Sequence, residues 1–265
     1  MRTAETSLVE STSEGVRTLA FNRPDRLNAL NADLFGLLLQ RIREAVDDAE
    51  VKVLVITGRG KAFSAGGDLK HDKANSALLT PQQRIDRIRR LSEISLLLHR
   101  APKPTIASIR GATAGAGMSI ALACDLRIAS QTAMFTTAFA RGGFSGDYGI
   151  SYLLHHLVGP ARARELLFFS DKVSAGAALS IGLVNEVVAD GDLEARTRAV
   201  ASQLACGPSI ALRHIKRNLN AAETGTFEEV LDLESENMVR SILTEDHEEA
   251  VQAFVEKRPP VFTGR

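Results

Sequence analysis

Apolar positions along the chain fall first into short unbroken runs and later into helical stripes. Val16 to Phe21 (VRTLAF), Val51 to Thr57 (VKVLVIT), Thr105 to Ile109 (TIASI) and Leu126 to Ala129 (LRIA) are apolar nearly throughout, which predicts strands covered on both faces. Between them Leu34, Leu38, Ile42 and Ala45 recur at helical spacing over 32–48, behind Asn31 as a cap. A second helix opens on Thr80, Pro81 and Gln83, a capping-box pattern with proline in the first turn, and runs towards Arg100. Strand and helix therefore alternate. The expected fold class is α/β, with mostly parallel pairing and the working residues in loops that follow the strands. From Asp192 the pattern turns helical, punctuated by Gly207-Pro208 and Thr224-Gly225-Thr226. Val230, Leu233, Met238 and Ile242 make an amphipathic stripe within 227–243, suited to cover the core or a partner subunit.

Composition narrows the class without naming it. Of 265 residues, 45% are hydrophobic and 24% charged, which disfavours disorder, coiled coil and collagen. Thirty-two basic residues balance thirty-two acidic ones, so no global field gathers nucleic acid or anionic membrane, and any anion site is local. Cys124 and Cys206 form neither a disulfide framework nor a CxxC pattern, which fits a reducing cytoplasm. The opening MRTAETSLVEST lacks the apolar core of a signal peptide, and no apolar run approaches the ~20 residues of a membrane helix. The expectation is a soluble, cytoplasmic protein.

Two glycine-rich loops follow strong strands: 58–68 (GRGKAFSAGGD) and 111–117 (GATAGAG), the second leading straight into the apolar helix Met118 to Ala123. Glycine lets a ligand approach main-chain N–H groups, and a helix N-terminus adds its positive dipole end, so the pair suits an oxyanion; tight turns with close helix packing are the alternative. Nucleotide fingerprints fail, because Ile120 stands where GxGxxG needs its third glycine and Ala62 where a phosphate loop needs Ser or Thr. A GxSxG elbow fails at Ser64, preceded by Ala62, and at Ser145, followed by Asp147.

Five segments, in order, carry a resemblance: 22–30 (NRPDRLNAL), 63–69 (FSAGGDL), 111–117 with Ala123-Cys124-Asp125, 181–187 (IGLVNEV) and 253–258 (AFVEKR). In these the chain resembles the enoyl-CoA hydratase/isomerase (crotonase) family over nearly its whole length. The resemblance implies a crotonase-like ββα spiral core over 1–191 and a helical C-terminal oligomerisation region over 192–265. It also implies an acyl-CoA thioester as substrate, with coenzyme A carried on the substrate, no separate cofactor and no metal. The thioester carbonyl would be held by the backbone N–H groups of Gly67 and Ala116, stabilising an enolate. Arg26, Leu27, Ala29, Ala65, Asp68, Leu69 and Lys70 would contact the CoA moiety. Phe254 and Lys257 match positions that reach the CoA of a neighbouring subunit, which implies a homotrimer or a homohexamer built as a dimer of trimers.

The departures from the family pattern bear on the reaction. Family hydratases carry two glutamates that activate water and deliver a proton; here Ser119 and Phe139 stand in those places, within the expected acyl pocket. One carboxylate remains nearby, Asp147, in the loop 143–149 (GFSGDYG) before an apolar helix at 150–158. Its place matches a catalytic aspartate of branches such as ring-1,2-epoxyphenylacetyl-CoA isomerase and 4-chlorobenzoyl-CoA dehalogenase. A single carboxylate in an apolar pocket moves a proton between carbons two apart, which is double-bond isomerisation. The competing role for Asp147 is a helix cap or turn residue. Tyr148 is expected to line the acyl pocket. His155 and His156 read as packing or surface residues, and Asp125 as structural. The basic stretch 84–90 (RIDRIRR) reads as a solvated face rather than an RNA site. Two other readings stay open: an enoyl-CoA hydratase using Asp147 and Ser119, and an inactive CoA- or RNA-binding relative.

Overall fold

The computed structural model describes residues 6–68 and 78–265. Ten strands and two sheets organise it. The larger sheet has the order β1-β2-β3-β5-β7-β10: Leu8–Ser13, Val16–Phe21, Val53–Gly58, Thr105–Ile109, Leu126–Ser130 and Glu186–Val188. Only β1 runs antiparallel to its neighbour; the other pairs are parallel. Alternation along the central strands assigns the two faces. Val53, Val55, Ile106 and Ile128 point to one side, where Leu193 and Ala201 of helix α6 (Leu193–Ala205) cover them. Leu54, Ile56, Ala107 and Ile109 point to the other, into the main core with Leu34, Leu38 and Ile42 of α1 (Ala32–Asp47) and Ile94 and Leu98 of α2 (Pro81–Arg100). Burial on both faces explains why these strands read as continuous apolar runs.

The smaller sheet, in the order β4-β6-β8-β9, consists of Ala62–Ser64, Ala112–Ala114, Met134–Thr136 and Val173–Ser174. Its first two strands lie inside the glycine-rich loops, which the sequence reading treated as loops alone. Each follows directly on a strand of the large sheet, so that β3-β4, β5-β6 and β7-β8 are successive strand pairs. The pairs β5-β6 and β7-β8 lead into α3 (Gly115–Leu122) and α4 (Ile150–Phe169), giving a repeating ββα path. Parallel pairing of β4 with β6, with Ala62 opposite Ala112, sets the two glycine loops side by side.

Helix signals held where they were strong. The Asn31 side chain accepts from Leu34 N–H, and Thr80 with Gln83 forms the full capping box. The helix expected over 150–158 is followed by a break at Gly159, which has φ +75° and is followed by Pro160, and then by a second segment reaching Phe169. The C-terminal helical run begins as expected, but α6 packs on the sheet, while α7 (Ser209–Ala222), α8 (Phe227–Ile242) and α9 (Glu245–Glu256) lie beyond it. Helix α7 is bolted down by Lys216, a buried side chain whose ammonium meets Asp125 at 2.7 Å and the Leu98 carbonyl at 2.9 Å. Asp125 also accepts from the Thr105 N–H at 2.7 Å, the structural role expected of it. Among the described residues, no helix is long and apolar enough to cross a membrane.

Candidate active site

The site is assembled around one buried amide. Asn28 is fully buried with φ +54°, a left-handed conformation that asparagine tolerates better than most residues. Its Oδ1 accepts from Arg23 N–H at 2.9 Å, and its Nδ2 donates to the carbonyls of Ala62 at 2.7 Å and Arg59 at 3.0 Å. Its own carbonyl accepts from the Ser64 hydroxyl at 2.8 Å, and that hydroxyl in turn accepts from Gly66 N–H at 3.2 Å. Ser64 is thus an anchor for the first glycine loop and not a nucleophile. Sequence reasoning missed this role for both residues, although a polar pair inside two shared motifs was the available signal. We expect Asn28→Ala to cost about 3 kcal/mol, because it removes three hydrogen bonds and leaves the buried Ala62 carbonyl, the part-buried Arg59 carbonyl and the Arg23 N–H without the amide. Thermal melts should show a Tm lower by roughly 10 °C; an unchanged Tm contradicts the assignment.

From this amide the segments 23–30 and 65–68 are zipped together. Ala65 N–H donates to Leu27 O at 2.9 Å, Leu30 N–H to Gly66 O at 2.8 Å, and Asp68 N–H to Leu30 O at 2.9 Å. The last two bonds make a parallel bridge between Leu30 and Gly67, in which the neighbours of Gly67 bond and its own N–H faces the other way. Among the described residues no acceptor takes that N–H. Beside this segment stands the start of α3. Gly66, at φ +91°, packs so closely on Ala114 that a Cβ there would lie 2.9 Å from the Ala114 carbonyl. Gly117 is equally constrained, since its Cβ would meet the Ser64 side chain at 2.6 Å.

Helix α3 is buried at every position, and its N-cap residue Ala114 supplies no side-chain acceptor, so among the described residues the Ala116 N–H in its first turn has no acceptor. Gly67 and Ala116 therefore present backbone donors from adjoining segments, with the positive end of α3 behind them. This arrangement can receive a developing negative charge on oxygen.

The third component is the 143–149 loop. Asp147 is largely buried, and among the described residues its Oδ1 has no hydrogen-bond partner. Burial alone pushes its carboxyl up to about 6 from the ordinary 3.8. The carboxylate does not cap the following helix, whose N-cap is Gly149 without a side-chain bond, so the capping role weighed for Asp147 is not what the structure shows. The surroundings are apolar. Phe139 is buried, with its ring 3.9 Å from the position a Cβ would take on Gly146, and Tyr148 stacks on Phe35 of α1 at 5.0 Å. Ser119 is fully buried and donates to the carbonyls of Gly115 and Asp147.

The other residues singled out from sequence fall into three groups. Leu27, Ala29 and Ala65 line the zipped loops with Arg26, which is exposed. Asp68 pairs with Arg23 at 3.0 Å, while Arg23 also donates to the Ala29 carbonyl, so the carboxylate braces the same loops. Leu69 and Lys70 lie outside the described residues. Phe254, 85% exposed, and Lys257 sit on and just after α9, outside the group of residues that the glycine loops bring together. His155 and His156 are exposed on α4, as expected. A separate cleft of about 540 Å³ between α2, α4 and α7 contains none of the residues expected at the site.

Comparison with known proteins gives the same picture. A family model described as enoyl-CoA hydratase/isomerase matches residues 11–265. The chain is 34% identical over 258 residues to 1,2-epoxyphenylacetyl-CoA isomerase of Escherichia coli K12, covering 97% of this chain and 98% of that protein. It is 35% identical over 259 residues to a trans-2-decenoyl-acyl-carrier-protein isomerase of Streptococcus mutans, covering 97% and 98%. A crystal structure of an enoyl-CoA hydratase from Polaromonas sp. JS666 superposes with a TM-score of 0.91 at 32% identity, covering 97% of this chain and 99% of the other. The glycine loops, the ββα path and these likenesses over the full length agree: the chain belongs to the enoyl-CoA hydratase/isomerase family.

Proposed function

We propose that the protein is an acyl-CoA isomerase that moves a double bond along the acyl chain, with Gly67 and Ala116 N–H holding the thioester carbonyl and Asp147 carrying the proton. The observation that supports this most is the state of Asp147. It is a largely buried carboxyl with a pKa raised to about 6 and an oxygen that finds no partner among the described residues, in a loop tied through Ser119 to the helix that carries Ala116. Such a group is ionised at neutral pH yet basic enough to take a proton from the α- or γ-carbon, once the enolate charge is spread onto an oxygen held by the backbone. The same carboxylic acid then returns the proton two carbons away. Water addition asks for a second group to hold and deprotonate water. Ser119 is engaged with two carbonyls and Phe139 offers no polar atom, which disfavours the hydratase reading. Incubating the protein with a 3-enoyl-CoA and with crotonyl-CoA, in deuterated water, separates the two. Isomerisation with deuterium entering at the α and γ carbons supports the proposal, and hydration without exchange at the γ carbon opposes it.

We propose also that the chain assembles as a trimer or a dimer of trimers, with CoA contacts completed across subunits by Phe254 and Lys257. Supporting this, the C-terminal helices α8 and α9 and their ends leave the large apolar side chains of Phe227, Leu243, Phe254 and Val255 largely exposed, as a surface covered by another subunit would be. Light scattering at micromolar concentration should give the mass of three or six chains. A monomer with full acyl-CoA affinity contradicts it.

A further inference from the structure

Two helices frame Asp147, and each carries one element of the oxyanion site together with one anchor for the loop that bears the carboxylate. On α3 these are Ala116 and Ser119, three residues apart and so about one turn along the same helix. Ser119 is fully buried, and its hydroxyl lies 3.3 Å from the Gly115 carbonyl and 3.2 Å from the Asp147 carbonyl. A buried helical serine ordinarily bonds back to the carbonyl four residues earlier, which Gly115 provides. The second contact is the unusual one, because it ties α3 to a separate segment. On α1 the pairing is similar. Leu30, just before the helix, bonds to both neighbours of Gly67, and Phe35 in the first turn stacks on Tyr148 with ring planes 2° apart. Tyr148 is held at φ +51°, a conformation costing roughly 1–2 kcal/mol that the loop keeps only while something clamps it.

We infer that Ser119 is a positioning residue, whose hydroxyl fixes the Asp147 backbone, and through it the carboxylate, relative to the thioester oxygen held at Ala116. This rests on the reading of Asp147 as the proton carrier. Ser119 moves no proton itself. Its hydroxyl holds the loop carbonyl from one side while Ile150 N–H holds the same carbonyl from the other at 3.2 Å, and the Phe35–Tyr148 stack is the second strut. The serine that stands at the place of a family glutamate thus keeps a part in catalysis by placing the carboxylate.

The test is Ser119→Ala, with Phe35→Leu and Asp147→Asn measured beside it on the same acyl-CoA. Alanine removes the tie to Asp147 and opens little space, so the fold should survive with a Tm close to wild type. The remaining strut limits the displacement, so kcat should fall by about 10-fold, with KM changed by less than about 2-fold, as for a misplaced group rather than a lost one. Ser119→Cys, near in size but a weak donor, should behave like alanine. The double variant Ser119→Ala/Phe35→Leu should lose more than either alone. A Ser119→Ala protein with wild-type kcat, while Asp147→Asn is inactive, overturns the positioning role and leaves the proton-carrier reading intact. An active Asp147→Asn protein overturns the proton-carrier reading itself. If Ser119→Ala lowers Tm but not kcat per folded molecule, the serine is structural only, and the inference fails.

Discussion

Asp147→Asn should retain the fold and acyl-CoA binding while turnover drops by at least ~100-fold, the lower end of what a placed general base contributes. Asparagine keeps the size and removes only the proton-accepting oxygen. Deuterium exchange at the substrate's α and γ carbons should disappear together with turnover. In the wild type, kcat should decline as pH falls through about 6, because the base acts in its ionised form and burial holds that transition about two pH units above the ordinary 3.8. Stability moves in the opposite direction. Between pH 3.8 and about 6 the folded chain keeps a proton that the unfolded chain has released, so raising pH across that window removes about 2–3 kcal/mol of stability. Asparagine carries no such cost. Its Tm at pH 7.5 should equal or exceed the wild-type value, with the difference shrinking by pH 4. Near-normal turnover in a folded Asp147→Asn protein moves the chemistry elsewhere.

Gly67→Pro should abolish turnover, because proline removes the one backbone donor that this residue presents, which no acceptor among the described residues takes. Loss of a single oxyanion donor costs ~3–4 kcal/mol of transition-state stabilisation, or roughly 10²–10³ in kcat. The paired control is Gly67→Ala. A Cβ at this position meets nothing within 4 Å, and Gly67 is not among the residues with positive φ, so alanine keeps the donor without strain in the free protein. Circular dichroism and Tm show whether each variant is folded. Equal losses in the proline and alanine variants would mean that space, and not the N–H, matters at residue 67. Full activity in the folded proline variant removes Gly67 from the mechanism.

The parts of the fold written locally were legible. β2 and β5 run over the residues their apolar character indicated, and Asn31 and Thr80 begin their helices as cap chemistry predicts. The glycine loops were recognised as chemistry-bearing, but not as strands. β4 and β6 are three residues each, too short for a period-2 pattern, and exist because their parallel pairing closes a second sheet. β1 was missed for another reason: LVESTS is polar on an edge strand with little to bury. Asp147, Gly67 and Ala116 came from motif matching, and geometry then supplied what no spacing carries. The unpartnered oxygen of Asp147 and the hydroxyl bridge from Ser119, 28 residues away, are tertiary facts. Asn28 was noticed only as part of a motif, since the bonds that make it central reach residues 31 and 34 positions further on.

The way the 143–149 loop is attached has a consequence for how this scaffold can diversify. The backbone donors proposed for the thioester oxygen belong to a frame closed by Asn28, the small sheet and α3, and the bonds that close it do not involve the Asp147 side chain. The loop is tied to that frame by the Ser119 hydroxyl, and to α1 by the Phe35–Tyr148 stack. On the proposed mechanism, a substitution in the loop can therefore change which group faces the substrate, and hence the reaction, without dismantling the frame that presents the Gly67 and Ala116 N–H groups. Selection, or an engineer, can exchange the reactive side chain here as a cassette, with Ser119 and Phe35 as the sockets that any new loop has to fit.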